Sequence, residues 1–317
     1  MTPRPPADQQ TVGGLYAFAA YLFWGFLPIY FVLLAPIGPF EIVAWRILLS
    51  LVVCAVLILV TRSWRRLIAI VRQPRLLAWT ALAGVVIYLN WQVFLLATLT
   101  GHVIETSLGY FINPIVTVLL GVLVLRERLR IVQWLALGLA AAAVVVIVVG
   151  YGTFPWIALS LAFSFGLYGL IKKRIGPAVD AVSGLTLETV WLTPVAVAQL
   201  GIVAATAGLG ITAYGGGKTA LLALAGVMTA TPLLLFAAGA RRAPLTLIGI
   251  LQFVTPVMQF VVGVWLLGEQ MTTGRWIGFA IVWLALILLT IDSLRAAGRS
   301  RRAQRDDAAN TDVADLT

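Results

Sequence analysis

The chain has 317 residues, of which 61% are hydrophobic and 11% charged, and its formal net charge at pH 7 is +10. This composition excludes a water-soluble globular protein, because a soluble fold of this length needs far more polar surface. The basic excess does not indicate nucleic-acid binding, since the positive residues are divided among short loops between apolar segments. The composition predicts a protein that is solvated by the lipid bilayer.

Ten apolar segments follow one another along the chain. A helix of about 20 residues crosses the hydrocarbon layer of a bilayer, and a barrel is excluded because the segments lack period-2 alternation. The first segment follows a start with one arginine and has no small-residue cleavage site after it, so we expect it to be retained. The predicted spans are 13–33, 39–61, 76–98, 102–125, 130–150, 153–172, 180–206, 219–240, 243–267 and 273–293.

The positive residues are confined to every second loop. Of the 22 lysines and arginines, 19 lie in the two tails and in the loops after spans two, four, six and eight, whereas the alternate loops hold only Lys218 and Arg275, and Arg46 lies within a span. By the positive-inside rule, both termini are predicted to be cytoplasmic. Residues 1–12 form the predicted N-terminal tail, and residues 294–317 a disordered cytoplasmic tail.

The chain also repeats itself. Residues 81–143 align without a gap on residues 223–285, at an offset of 142. The two halves, 13–150 and 151–293, each contain five spans, and an odd number of spans forces the second half to enter the membrane in the opposite sense. The predicted fold is an all-α polytopic membrane protein with ten transmembrane helices in two inverted five-helix repeats (5+5). Repeats of this kind are typical of secondary transporters.

One loop supports the inversion directly. Glu127 is flanked by three arginines, whereas its counterpart in the second half, Glu269, has none beside it. The loss of arginines is expected if the second copy of this loop faces the outside.

Polar residues within spans four and nine are candidates for a substrate cavity. Their spacing of three or four residues puts them on one helical face. Pro114 and Pro256 are predicted to break the two helices near their midpoints, because proline removes a backbone donor. The alternative is that these side chains only join helices through hydrogen bonds. The candidates are Thr106, Tyr110, Asn113 and Thr117 in span four, and Gln252, Thr255 and Gln259 in span nine.

Further polar and aromatic residues within spans could line the same cavity. Aromatic rings can stack on a planar or lipophilic ligand, although aromatic residues of membrane helices also serve in packing or as interface anchors. These candidates are Tyr21 and Trp24 in span one, Asn90 and Trp91 in span three, and Ser164 and Tyr168 in span six.

Four ionisable residues within spans are candidates for proton coupling or gating. Glu188 lies roughly eight residues into span seven, where a carboxyl removed from water holds a proton more readily or bonds to a neighbouring helix. Glu105 lies three residues after His102, a spacing that lets the two side chains interact on a helix. They could form an outer gate or a protonation pair, or else a hydrated pair at the end of the helix. Arg46 could extend to the interface, or pair with Glu41 or with Glu188.

The remaining motifs do not indicate catalysis. Cys54 lies in an apolar run and is expected to be a core thiol, and a single histidine leaves no metal cluster or catalytic triad, so no metal or cofactor is predicted. The segment 215–219 resembles the end of a phosphate-binding loop, but Thr212 stands where the first glycine is required. The chain is therefore not expected to be an enzyme. A membrane-embedded enzyme for lipid-linked substrates and a channel-like regulatory component stay open as alternatives.

Four segments resemble the EamA family of the drug/metabolite transporter superfamily, and in particular its RarD-type members. They are Ala-Tyr-Leu-Phe-Trp-Gly at 20–25, Glu-Thr-Ser-Leu-Gly-Tyr-Phe-Ile-Asn-Pro at 105–114, Leu-Ser-Leu-Ala-Phe-Ser-Phe at 159–165, and Glu-Thr-Val-Trp-Leu at 188–192. The resemblance covers nearly the whole chain except its tails. It implies a multi-pass protein of the bacterial inner (plasma) membrane that exports small metabolites or drugs, or facilitates their movement.

The sequence as a whole predicts a secondary transporter that works by alternating access. The expected partners are the lipid bilayer, a small-molecule substrate and protons, with no nucleic acid, in a monomer or a homodimer. Where Tyr110 and Asn113 stand in the first half, the second half has Gln252 and Thr255. The cavity is therefore predicted to be asymmetric.

Overall fold

The computed structural model describes residues 7–125, 131–151, 154–176, 178–240, 242 and 251–314, and the part of the chain that it describes is helical. The arginine-bearing loop predicted around Glu127 lies outside these residues. The helices are α1 (Ala7–Leu33), α2 (Pro39–Val60), α3 (Trp64–Val71), α4 (Pro74–Leu99), α5 (Val103–Leu125), α6 (Ile131–Tyr151), α7 (Trp156–Ile175), α8 (Ala181–Thr206), α9 (Gly210–Ala213), α10 (Gly215–Ala223), α11 (Ala225–Ala240), α12 (Val254–Val261) and α13 (Thr273–Ala314).

Helices dominate because a backbone in hydrocarbon must satisfy its hydrogen bonds within its own segment. Six helical stretches among the described residues are long and apolar enough to cross a membrane, and two shorter apolar ones accompany them. Pro39 and Pro74 start α2 and α4, where a missing N–H costs nothing. The prediction of a polytopic helical membrane protein is confirmed.

The two helix-breaking prolines act differently. α5 stays helical from Val103 to Leu125 across Pro114, so the break predicted there is absent; proline removes one backbone hydrogen bond, and the rest of the helix can continue. In the second half, Gln252 and Phe253 form a turn, α12 begins just before Pro256, and a π-helical segment, Val262–Leu266, follows.

Two loop regions also depart from the sequence prediction. The glycines at 215–217 are the first residues of α10, which meets α11 at Leu224. At the C-terminal end, a disordered tail was predicted after residue 293, whereas α13 continues as a helix to Ala314. Alanine and arginine are strong helix formers, and this segment is rich in both.

Helix packing follows the same pattern in the two halves. α1 packs on α11 and α12, and α7 packs correspondingly on α4 and α5. Likewise α2 packs on α11, and α8 packs on α4. Three further contacts join helices that are equivalent in the two halves: α2 with α8, α5 with α12, and α6 with α13. Helices of the first half therefore contact mainly helices of the second.

Glycines allow the closest of these contacts. A Cβ on Gly25 would lie 2.5 Å from Met258 Cβ, and a Cβ on Gly166 would lie 3.1 Å from Val116 Cγ1. The residues of the second contact correspond to those of the first at offsets of 141 and 142. Without side chains on these glycines, helix backbones of the two halves approach closely, as small residues allow in membrane bundles.

Gly226→Ala is expected to destabilise the protein. The added Cβ would lie 2.5 Å from the carbonyl oxygen of Leu49 on α2, which is backbone and cannot turn away. Overpacking of this kind costs about 1–3 kcal/mol, and the thermal unfolding midpoint of the purified protein in detergent should fall. Gly138→Ala is the matched control, because a Cβ there meets no atom within 4 Å. Equal midpoints for both variants would contradict the described α2–α11 contact.

Candidate functional site

A buried asparagine joins three helices of the bundle. Asn90 on α4 is 2% exposed. Its Nδ2 donates to Ser164 Oγ at 2.9 Å and to the Leu161 carbonyl oxygen at 3.2 Å on α7, and its Oδ1 accepts from the Tyr110 hydroxyl of α5 at 3.4 Å. These contacts bring three of the predicted site residues into one network.

Aromatic rings extend from this network in both directions. The Tyr110 ring lies 5.9 Å from Phe94 and 5.8 Å from Phe165, centroid to centroid. Phe94 contacts Phe31 of α1 at 6.1 Å, and Phe165 contacts Tyr168 at 6.2 Å. We call these five rings the aromatic chain. They connect α1, α4, α5 and α7, and they range from fully buried at Phe31, which is 1% exposed, to Phe165, which is 37% exposed.

Arg46 points into the bundle beside the aromatic chain. It is 6% exposed, and its Nε donates to Thr229 Oγ1 on α11 at 2.8 Å. The guanidinium carbon lies 4.4 Å from the Trp91 ring centroid and 5.6 Å from that of Phe31. The side chain therefore contacts helices of both halves and does not extend to the membrane interface.

The acid partners predicted for Arg46 are engaged elsewhere. Glu41 accepts hydrogen bonds from the N–H groups of Gly210 and Ile211, at 2.8 and 3.0 Å. Glu188 pairs with Lys172. The predicted pairing of Arg46 with Glu41 or Glu188 is therefore wrong, because each carboxylate is closer to donors that the sequence did not reveal.

Glu188 is a fully buried carboxylate with two partners. Its Oε1 lies 2.8 Å from Lys172 Nζ, and its Oε2 accepts from the Tyr168 hydroxyl at 3.0 Å. A buried charge needs such partners, because desolvation costs several kcal/mol. Lys172 was counted among the loop charges at the end of span six. The sequence did not show that the Lys172 side chain faces α8.

Polar residues of α5 and α12 connect the two helices directly. Ser107 Oγ donates to the Pro256 carbonyl oxygen at 2.8 Å. Thr106 Oγ1 lies 3.5 Å from Gln259 Oε1, and Gln259 Nε2 lies 3.5 Å from the Trp24 carbonyl oxygen. These groups are buried at the crossing of equivalent helices from the two halves.

The other polar candidates of these helices also bond to backbone carbonyls. Thr255 Oγ1 donates to Tyr21 at 2.8 Å, and Asn113 Nδ2 donates to Ala162 at 3.1 Å. Each bond joins one half to the other. Thr117 donates to the Asn113 carbonyl oxygen of its own helix at 2.9 Å.

A second aromatic cluster lies beside the turn that contains Gln252. The Tyr21 ring contacts Trp24 at 5.6 Å and Phe236 at 5.9 Å, and Trp24 contacts Phe236 at 6.0 Å. Gln252 itself is partly exposed. The structure thus places these predicted site residues in three groups: Asn90, Tyr110, Ser164 and Tyr168 in the Asn90 network with its aromatic chain, Tyr21 and Trp24 in this cluster on α1, and Thr106, Thr255 and Gln259 in contacts among α5, α12 and α1.

One end of the bundle carries polar contacts between the halves. We call it the Glu41 end; it comprises residues 33–41, 99–105, 207–219 and 267–275. Glu41 binds the start of α9, and Lys218 Nζ donates to the carbonyl oxygens of Leu33 and Ala35 that end α1.

Glu269 makes a contact of the same kind, from the second half to the first. Its carboxylate accepts from the N–H groups of Val103 and Ile104 at the start of α5, where helical N–H groups lack partners. Burial raises the pKa of Glu269 above the usual glutamate value, although both hydrogen bonds favour the charged form. In the sequence, the sign of a role for Glu269 was that it aligns with another glutamate, Glu127, at the offset of 142.

Glu105 and His102 do not pair with each other. Glu105 Oε1 lies 3.4 Å from Arg275 Nη2, so this ion pair also joins the halves at the Glu41 end. His102 Nδ1 lies 3.0 Å from Thr100 Oγ1. Among the described residues, no three His, Cys, Asp or Glu side chains converge to hold a metal ion.

Comparison with known proteins places the chain in a family. Residues 11–149 match the model of the EamA-like transporter family. Protein RarD of Streptomyces exfoliatus is 45% identical over 97% of this chain and 96% of its own. An uncharacterized transporter of Vibrio cholerae is 40% identical, covering 96% and 99%, and protein RarD of Escherichia coli is 38% identical, covering 93% and 99%.

A solved structure shares the fold at low sequence identity. It is described as "Crystal structure of protein", is 18% identical, has a TM-score of 0.57, and covers 89% of this chain and 98% of its own. Together with the membrane-spanning helices, the relatives identify a multi-pass protein of the bacterial inner membrane. The chain belongs to the EamA-like transporter family and is a RarD-type member of it.

Proposed function

We propose that this membrane transporter is a secondary carrier that moves a small organic molecule by alternating access of two inverted five-helix halves. The observation that carries the proposal is the Asn90 network with its aromatic chain, which lies where helices of both halves meet. It offers hydrogen-bonding groups and apolar surface in one place, as small-molecule sites do. The matching helix contacts of the two halves support the 5+5 arrangement.

In this proposal Asn90, Tyr110 and Ser164 offer hydrogen bonds, and Trp91 and Tyr168 offer ring surface. Tyr21, Trp24 and Gln252 extend the cavity along α1. The residues that bond to backbone carbonyls across the two halves, such as Thr255 and Asn113, would exchange partners as the halves move. A cavity between the halves is required, because the substrate must be released on either side of one central site.

The Glu41 end is proposed to be the closed, external end of the conformation described. Glu41, Lys218, Glu269 and the Glu105–Arg275 pair each join one half to the other there. Opening this end requires all four contacts to break. By the distribution of positive residues, both termini would then lie in the cytoplasm.

Proton coupling is proposed to act through Glu188. Protonation would remove the negative charge that holds Lys172, whose side chain is 27% exposed, and would weaken this contact between α7 and α8. The packing of α7 against α8 would therefore depend on whether Glu188 carries a proton.

The alternatives are less favoured. A membrane-embedded enzyme would need two or more reactive ionisable groups converging in one cleft. Glu188 and Lys172 do meet, but each is engaged by the other in an ion pair. A channel-like component would not need polar contacts that close one end of the bundle between two equivalent halves.

Asn90→Leu is expected to reduce transport at least about tenfold, because the substituted side chain cannot bond to Ser164 or Tyr110 and loses more than one hydrogen bond of about 1 kcal/mol each. The measurement uses proteoliposomes loaded with amino acids, nucleosides, organic acids and chloramphenicol-like drugs, with release followed by mass spectrometry. Thr98→Val is the matched control on α4, since Thr98 bonds only to its own helix at Phe94. If no compound is released faster than from protein-free liposomes, the transporter proposal fails.

Glu188→Gln is expected to abolish the part of transport that depends on a pH gradient, while exchange without a gradient persists. Glutamine fills similar space but neither takes up a proton nor holds Lys172 by charge. Asp180→Asn is the control, because Asp180 caps the same helix through Ser183 N–H and asparagine caps equally well. Unchanged gradient dependence in both Glu188→Gln and Glu105→Gln would contradict proton coupling at these sites.

Glu41→Gln is expected to loosen the whole Glu41 end. Hydrogen–deuterium exchange should rise at residues 210 and 211, which Glu41 binds, and also at residues 103 and 104, which Glu269 binds. The second effect is expected because the contacts must break together when the end opens. Faster exchange at residues 210 and 211 alone would show that Glu41 is a local helix cap and not part of a gate.

A further inference from the structure

We propose that Arg46 binds the anionic group of the substrate, and that the substrate is an organic acid with an aromatic or other apolar body. This inference rests on the proposed transport function and names the class of molecule carried. Its starting point is a positive charge held inside the bundle between helices of both halves.

The charge of Arg46 has no acidic partner among the residues that the structure describes. A guanidinium carries five N–H donors, and Nε uses one of them on Thr229. The nearby acids are engaged, Glu41 with backbone N–H groups and Glu188 with Lys172. An uncompensated buried charge costs several kcal/mol, which an apolar side chain of similar volume would avoid. An anionic ligand would supply the missing partner.

The terminal amino groups of Arg46 remain open to such a ligand. They donate to no described residue. They also differ from the fully buried side-chain atoms that lack a hydrogen-bond partner, such as Ser50 Oγ and Gln92 Nε2. They therefore keep some accessible surface, although the residue as a whole is 6% exposed. Trp91 stacks on the guanidinium at 4.4 Å and Thr229 fixes its Nε, so that its plane is held. A fixed guanidinium with both terminal nitrogens free suits bidentate contact with a carboxylate.

The surroundings of Arg46 also indicate the body of the ligand. Phe31 lies 5.6 Å from the guanidinium and leads, through Phe94, to Tyr110 in the aromatic chain. Phe31 and Phe94 are 1% and 4% exposed, so a molecule whose carboxylate meets Arg46 would lay its apolar part on these rings only after they move apart. Arg46 and Thr229 belong to different halves, so a bound anion would also influence how the halves meet.

Paired probes that differ only in charge test the inference. Benzoate, 3-phenylpropionate and indole-3-acetate are each compared with their neutral amides for binding to the purified full-length protein in nanodiscs, by calorimetry and thermal stabilisation. At least one acid should bind at least about tenfold more tightly than its amide, a difference of about 1.4 kcal/mol. Arg46→Gln should lower the affinity for that acid to the affinity for its amide. Arg46→Lys should give an intermediate preference for the acid, because lysine keeps the charge without the planar fork.

The matched control is Arg174→Gln. Arg174 also stacks on a tryptophan, Trp79, at 5.2 Å, but it is exposed. This variant should retain the full preference for the acid. If no acid is preferred to its amide by the unaltered protein, or if Arg46→Gln keeps the preference, the inference is overturned. The unaltered protein and Arg46→Lys decide the question even if Arg46→Gln does not fold.

Transport measurements on the same protein separate this inference from the function on which it rests. Release of only neutral or cationic compounds from the loaded proteoliposomes would leave the transporter proposal intact and refute an organic-acid substrate. Acid-selective binding that depends on Arg46, without release of any compound, would support the anion site and refute transport.

Discussion

The structure depends on one constraint: within a bilayer, backbone polar groups must be satisfied inside the protein, and a buried polar side chain is costly unless it finds a partner there. Helices meet this constraint for the backbone, and side chains meet it by reaching to neighbouring helices. Ser107 bonds to α12, Thr255 to α1 and Asn113 to α7, and each of these bonds joins one half to the other. The same groups that satisfy the constraint therefore hold the two halves together, and the proposed alternating access would have to break their contacts.

Much of the fold could be predicted from the sequence because its signals are local or repeated. Apolar length predicted membrane-spanning helices, and the sequence repeat, at offsets of 141 and 142, relates the contact of Gly25 with Met258 to that of Gly166 with Val116. The continuation of α5 through Pro114 could not be predicted, since one missing hydrogen bond breaks a helix only where the surrounding packing permits it.

The site could be predicted only in part. Its position in the middle of a span identified Asn90, spacing on one helical face identified Tyr110 and Ser164, and the three side chains do meet. The partners of Arg46 and Glu188 were not predictable, because they depend on how each helix is rotated about its axis, and Thr229 lies 183 residues from Arg46. Hydrophobic helices with apolar residues on all sides give no sequence signal for that rotation.

The two equivalent glycine contacts are unequal in stiffness. Where α1 crosses α12, the atom nearest to a Cβ on Gly25 is Met258 Cβ at 2.5 Å, which is fixed to the backbone; where α7 crosses α5, the atom nearest to a Cβ on Gly166 is Val116 Cγ1 at 3.1 Å, which lies one bond further out. The first crossing is therefore the tighter of the two, because no side-chain rotation moves its contacting atom. In the alternating access proposed above, α1 and α12 would therefore move together, and the two halves would not move as symmetric equivalents.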